Sequence, residues 1–230
     1  MIKYLKSFLY CPFVHVRQKQ KIMFKVVFKT AVKAIIGIAI LALIVFGVLS
    51  LGFPSTMAGL CENTGNFYMA AGYASLSYTY TGDVNDLNRC FADNVQAKND
   101  GDIVRFGEKL VQDEKFGEVC ETNSKTVTTE NGKVFIDYKQ FVYGNIACAK
   151  YRLGDKDEAV SAAKTAMDGV ENFPKNNAVA YLSLQVIESG DKGTAEKLLA
   201  EMEKFKPAED ETGYYNTLKS ELQKVGGEEL

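Results

Sequence analysis

Residues 140–176 read QFVYGNIACAKYRLGDKDEAVSAAKTAMDGVENFPKN, and residues 177–207 continue NAVAYLSLQVIESGDKGTAEKLLAEMEKFKP. The second stretch repeats the pattern of the first. In each, a Gly-Asp pair (Gly154-Asp155, Gly190-Asp191) separates two helical patterns, an alanine follows the glycine by five residues (Ala159, Ala195), and a small residue precedes it by seven (Ala147, Ser183). Small side chains are needed where two antiparallel helices cross closely, because anything bulkier would drive the backbones apart. The glycine lets the first helix end in a left-handed conformation, and the aspartate is then placed to cap the second. A helix pair this short cannot bury its apolar face alone, so neighbours stacked on either side are expected.

Working outward, a weaker copy reads from Asn66 to Tyr80 as a first helix, Thr81-Gly82-Asp83 as the turn, and Val84 to Asn99 as a second helix. Ser75 lies seven residues before Gly82, and Leu87 stands where the later copies have Ala159 and Ala195. The distance from Gly82 to Gly154 is twice that from Gly154 to Gly190, which leaves room for one more unit. Asp102–Asp113 and the stretch from Lys115 to about Thr126 read as its two short helices, with Glu114 in the place of the turn glycine. Residues 126–136 (TVTTENGKVFI) are β-branched on both sides of Asn131-Gly132, a strong hairpin signal. A lone two-stranded hairpin is marginal in water, so the helical reading is preferred over 126–138. A strand pair through the middle would end the reading of an uninterrupted helical array. After Pro207, residues from about Glu211 to Val225 read as a closing helix with Tyr214, Leu218, Leu222 and Val225 on one face and Lys219, Glu221 and Lys224 on the other. The tail 226–230 is read as disordered.

The turn glycines and the small residues at fixed offsets resemble the tetratricopeptide repeat, over about residues 66–207. The resemblance implies an all-α chain, a stack of helix-turn-helix units, with residues 66–225 forming one repeat domain. It also implies a non-catalytic protein-binding or assembly module of bacterial type, in which the first helix of each pair lines a concave groove for a partner's extended segment or helix. Carried onto this sequence, the groove side comprises Leu76, Tyr80, Cys148, Tyr151, Arg152, Leu184 and Glu188. The partner protein is not identified by any of these residues.

Charge divides the chain. Residues 1–60 hold eight Lys or Arg and no acid, so the remaining 19 basic residues face all 29 acids and the rest of the chain carries about -10. An acidic domain repels phosphate backbones, which argues against nucleic acid. Ala34–Phe53 has no charged residue in 20 positions and is read as a transmembrane helix, since at ~1.5 Å per residue it would span roughly 30 Å. The basic segment 1–33 then stays in the cytoplasm and the acidic domain lies outside it. Within that segment Ile2, Leu5, Phe8 and Leu9 recur at helical spacing, as in a helix lying on the inner surface; Met23 is an equally good start. A retained anchor is preferred, followed by a linker at 54–65. Thr56-Met57-Ala58 before Gly59 would also serve as a cleavage site, which leaves a secreted structural repeat protein, without a dedicated groove, as the alternative.

Few catalytic parts are present. The single histidine, His15, lies in the basic segment, so the acidic domain has no Ser-His or Cys-His pair. No CxxC, phosphate-binding or dinucleotide-binding glycine motif occurs. No catalytic, metal or cofactor site is therefore assigned. Cys61, Cys90, Cys120 and Cys148 are spaced by 29, 30 and 28 residues, close to the repeat length. Adjacent second helices could bring Cys90 near Cys120 in a disulfide worth roughly 2 to 4 kcal/mol, or all four could be small core residues; both readings stand.

Overall fold

In the computed structural model the described residues are 12–129, 132–207 and 211–227. The chain divides into two compact units, residues 1–53 and 54–230. In the first, the described residues form one helix, α1 (Pro12–Gly52), which runs for 41 residues. Its Met23–Gly52 part is long and apolar enough to cross a membrane. The basic residues from Arg17 to Lys33 continue the same helix instead of forming a separate element. The surface helix expected around Ile2 to Leu9 falls outside the described residues.

The second unit begins with a correction. Residues 54–65 are not a linker: α2 (Pro54–Asn63) buries Met57, Ala58 and Cys61 at the three- and four-residue spacing of one helical face. There follow α3 (Phe67–Thr81), α4 (Val84–Ala97), α5 (Asp100–Val111) and α6 (Phe116–Asn123). These match the weaker copy and the worn unit to within a few residues. Gly82 closes α3 at φ 67°, and the Asp83 carboxylate caps α4 by accepting from Asn85 N at 2.9 Å.

A second correction falls at residues 125–136, which form strands and not helix. β1 (Lys125–Thr129) pairs antiparallel with β2 (Gly132–Ile136), with Val127 opposite Val134 and Thr129 opposite Gly132. Both strands leave an outer edge unpaired in the sheet. A clamp at the base holds the hairpin: the Ser124 hydroxyl accepts from Tyr138 N at 3.0 Å, and Tyr138 donates its phenol proton to Asn88 at 2.8 Å. Strands therefore do run through the middle of the chain, and the uninterrupted helical array expected there does not form; the helices on either side still meet, because α5 packs directly on α7 (Tyr138–Leu153).

α7 is the wall shared by two apolar cores. Val142, Ile146 and Ala149 face one, with Leu87, Phe91, Ile103 and Leu110; Ala147 faces the other, with Phe173, Val186, Leu198 and Leu222. The second core also holds α8 (Lys156–Ala166), α9 (Ala178–Ser189), α10 (Lys192–Met202) and α11 (Thr212–Gly226). α7 packs on both α8 and α9, α8 on α10, and α11 on α9 and α10. Gly154 and Gly190 take φ of 97° and 69°, as their turns require, and Ala147, Ala159, Ser183 and Ala195 are fully buried where the pairs cross. Asp191 caps α10, whereas Asp155 makes no side-chain cap bond. On α11 the expected face turns inward, with Leu218 and Leu222 buried and Tyr214 and Val225 packed against the same core; Tyr215 is buried as well, and its hydroxyl donates to Met202 O at 3.0 Å. Gly227 ends that helix in the left-handed region, and the last three residues of the expected tail lie outside the described ones.

Two buried polar side chains bind the layers together. Gln140, 1% exposed, donates to Ala166 O at the end of α8 and accepts from Ala178 N at the start of α9. Lys150 bridges Glu108 of α5 and Glu158 of α8 at 2.6 and 2.5 Å, so its charge is paired twice over.

Candidate partner-binding surface

The seven residues expected along the groove separate into two groups. Tyr80 and Leu184 are 59% and 52% exposed, Glu188 is exposed, and Leu76 is half-buried. The other three are engaged within the chain. Cys148 is buried, and burial pushes its thiol up to about 11. Arg152 turns sideways onto Asp100 at the start of α5, with Nε and Nη2 2.9 and 2.6 Å from the carboxylate. Tyr151 reaches the far end of the next pair, hydrogen-bonding Ser189 and donating to Asp191 at 3.2 Å.

Asp191 is where the later pairs meet. Besides Tyr151, its carboxylate accepts from the Thr194 hydroxyl at 2.6 Å and pairs with Lys156 at 2.9 Å. The Thr194 hydroxyl and then Lys156 hold its pKa down, at about 2, so the carboxylate is ionised at neutral pH. Tyr151 and Arg152 are thus cross-braces between helix pairs: Tyr151 is half-buried, Arg152 stays exposed while it makes its ion pair, and Cys148 alone of the expected set is buried.

The cysteines face different neighbours and are thiols. Cys90, fully buried, donates weakly to Ala71 O on α3 at 3.4 Å, while Cys120 sits half-buried near Asp137 and Lys139. Burial pushes Cys90 up to about 12 and Cys120 up to about 11, which keeps both protonated at neutral pH. No disulfide joins Cys90 to Cys120 in this structure. Among the described residues no group of three or more His, Cys, Asp or Glu side chains is placed to hold a metal ion.

Two features were not foreseen. The first is a cleft of about 180 Å³ between α3 and α5, lined in part by Gly72, Asn94 and Arg105. The second is an acidic pair at the foot of α2. Asp93 is 5% exposed, one of its oxygens has no donor, and Glu62 stands beside it in ion pair with Arg89. Arg89 also donates to Ser55 O at 2.9 Å, which ties α4 to α2. A hydrogen bond between two carboxyl groups exists only while one is protonated. Burial first, then the Glu62 charge, pushes Asp93 up to about 7, with Arg89 opposing.

A carboxyl whose proton is held more tightly in the folded state stabilises the fold below the ordinary carboxylate range, and that contribution is lost as pH rises through 7. Three pKa units correspond to about 4 kcal/mol at most. Asp93→Asn is therefore expected to gain melting temperature over the parent as pH goes from 4 to 8, with the gap levelling off above 7. A gap that stays constant across that range, measured by thermal unfolding, would show that Asp93 ionises normally. Gly72 could have been found by its offset from Gly82, whereas nothing local in the sequence marks Asp93. No family model matches this chain, and no curated protein matches it.

Proposed function

We propose that this chain is a membrane-anchored, extracytoplasmic module of tetratricopeptide type that holds another envelope protein and carries out no chemistry of its own. The observation that carries the reading is the order of packing, in which α7 lies against both α5 and α9 while α8 lies against α10 and α11 closes the end. Helix pairs stacked in this order present the first helix of each pair on one side, where Tyr80, Leu184 and Glu188 are exposed. Anchoring through α1 is supported by the apolar run Met23–Gly52 and by α2. Cleavage after Ala58 would cut α2 in half and remove Met57 and Ala58, which are 6% and 0% exposed, from the core.

Photo-cross-linking on intact cells, with the reactive group in turn at Tyr80, Leu184 and Lys164, tests the reading. Lys164 is exposed on α8, a second helix. One shared adduct from Tyr80 and Leu184, absent from Lys164, is the expected result. Adducts of equal yield at all three positions, or at none, would remove the groove, and recovery of the chain from the medium would remove the anchor.

A further inference from the structure

The part of α1 that precedes the uncharged run carries a row of cations. Lys25, Lys29 and Lys33 are exposed and follow one another every four residues, so each stands ~6 Å further along the helix axis and about 40° further round it. In the sequence Arg17 and Lys21 continue the same spacing. No acid within the helix answers them, since the first in the chain is Glu62. Between Lys33 and Glu62 there is no charge of either sign, so the row marks one end of the apolar run and not the other.

Length fixes the depth at which the row lies. At ~1.5 Å per residue Met23–Gly52 reaches ~45 Å, the thickness of a bilayer with its headgroups, whereas the hydrocarbon alone takes ~30 Å. Residues 34–53 already fill the hydrocarbon. Charged lysines are expelled from it, so residues 24–33 run through the headgroup layer. Their apolar neighbours agree with that depth. Val26, Val27, Phe28 and Val32 are exposed beside the lysines, and the rings of Phe24 and Phe28 stack with centres 6.5 Å apart. In bulk water this mixture would leave a bare apolar patch. At the boundary between headgroups and acyl chains both kinds of side chain are accommodated, because the lysine stems lie along the apolar surface while the ammonium groups reach the phosphates.

We propose that this row binds the headgroups of anionic phospholipids, with Lys25, Lys29 and Lys33 pairing them at successive depths. Charge complementarity chooses the occupant. Three cations with no counter-ion in their own helix stand where lipid phosphates are the nearest anions, and an anionic headgroup keeps the net charge that a zwitterionic one cancels. An acidic protein segment would have to enter the headgroup layer to compete. The inference rests on reading α1 as a membrane span and does not depend on what the second unit holds.

The test reconstitutes the full-length chain in vesicles of phosphatidylcholine. These contain, at the same trace level, either phosphatidylglycerol or phosphatidylcholine with one photoreactive acyl chain, and the adducts formed on illumination are counted by mass spectrometry. Phosphatidylglycerol is expected to give at least about fivefold more adduct, since one lysine near the surface supplies about that factor. Lys25→Gln, Lys29→Gln and Lys33→Gln together should remove the preference, while arginine at the same three positions should keep it. Added salt should weaken the preference of the parent by screening the surface charge. Equal adducts from the two lipids on the parent, or a preference that survives the three glutamines, would overturn the lipid-binding row. Absence of adducts of either lipid along residues 34–53 would overturn the membrane span and the proposal with it, a failure visible separately from a lost preference.

Discussion

Phe91→Ala is expected to destabilise the second unit by about 4 kcal/mol, within the range for emptying a large buried aromatic site. Phe91 is fully buried on α4, meets Phe141 of α7 edge-on with ring centres 6.5 Å apart, and lies where a Cβ on Gly107 of α5 would come within 3.0 Å of its ring. Three helices therefore lose contacts at one stroke. They are also the three that carry the core past the β1–β2 hairpin, so the surroundings cannot close over the gap without shifting the α5–α7 contact. At about 2 to 4 °C per kcal/mol for a unit of this size, the melting temperature should fall by about 10 °C. Phe135→Ala is the comparison, since that ring is 60% exposed on β2 and its loss should change stability by no more than about 0.5 kcal/mol. If thermal unfolding shows a drop below about 1 kcal/mol for Phe91→Ala, or similar drops for both, the continuous core described here is wrong.

Gln140→Leu should cost about 3 kcal/mol for a different reason. The leucine keeps nearly the same volume, so no large cavity forms. What disappears is the bridge: the amide nitrogen donates to Ala166 O at 2.6 Å and the amide oxygen accepts from Ala178 N at 3.0 Å. Both alanines are fully buried, so each backbone group is left desolvated without a partner, at about 1 to 3 kcal/mol apiece. Gln140→Glu is the sharper variant. It keeps the acceptor for Ala178 but loses the donor to Ala166 and turns an oxygen toward that carbonyl, so it should be at least as damaging near neutral pH. Urea unfolding of the three proteins decides the matter; a cost under 1 kcal/mol for leucine would mean that water replaces the bridge.

The helix pairs were legible because their determinants are local. A left-handed φ at Gly82, Gly154 and Gly190 and close crossings at Ala147, Ala159, Ser183 and Ala195 follow from residue type at fixed offsets. Where neighbours set the outcome, local reading failed. Residues 54–65 looked like a linker because Gly, Ser and Thr are frequent there, yet Met57, Ala58 and Cys61 find a surface on α3. The hairpin signal at Asn131-Gly132 was overridden by a general argument about two-stranded sheets. The clamp that answers that argument joins Ser124 to Tyr138, fourteen residues away. Offset alone gives no sign of the partners of Tyr151 and Arg152, since Asp191 and Asp100 lie 40 and 52 residues away in the chain.

Since Ser124 and Tyr138 already meet, the polypeptide leaves the helical body and returns to it at nearly one point, and what lies between can be treated as a detachable excursion. That makes the tip of the excursion the natural place to open the molecule, whether for a circular permutation or for a fluorescent insert, with the cores on either side of α7 left to assemble as before. It also means that related chains could differ widely in length there while keeping the same body.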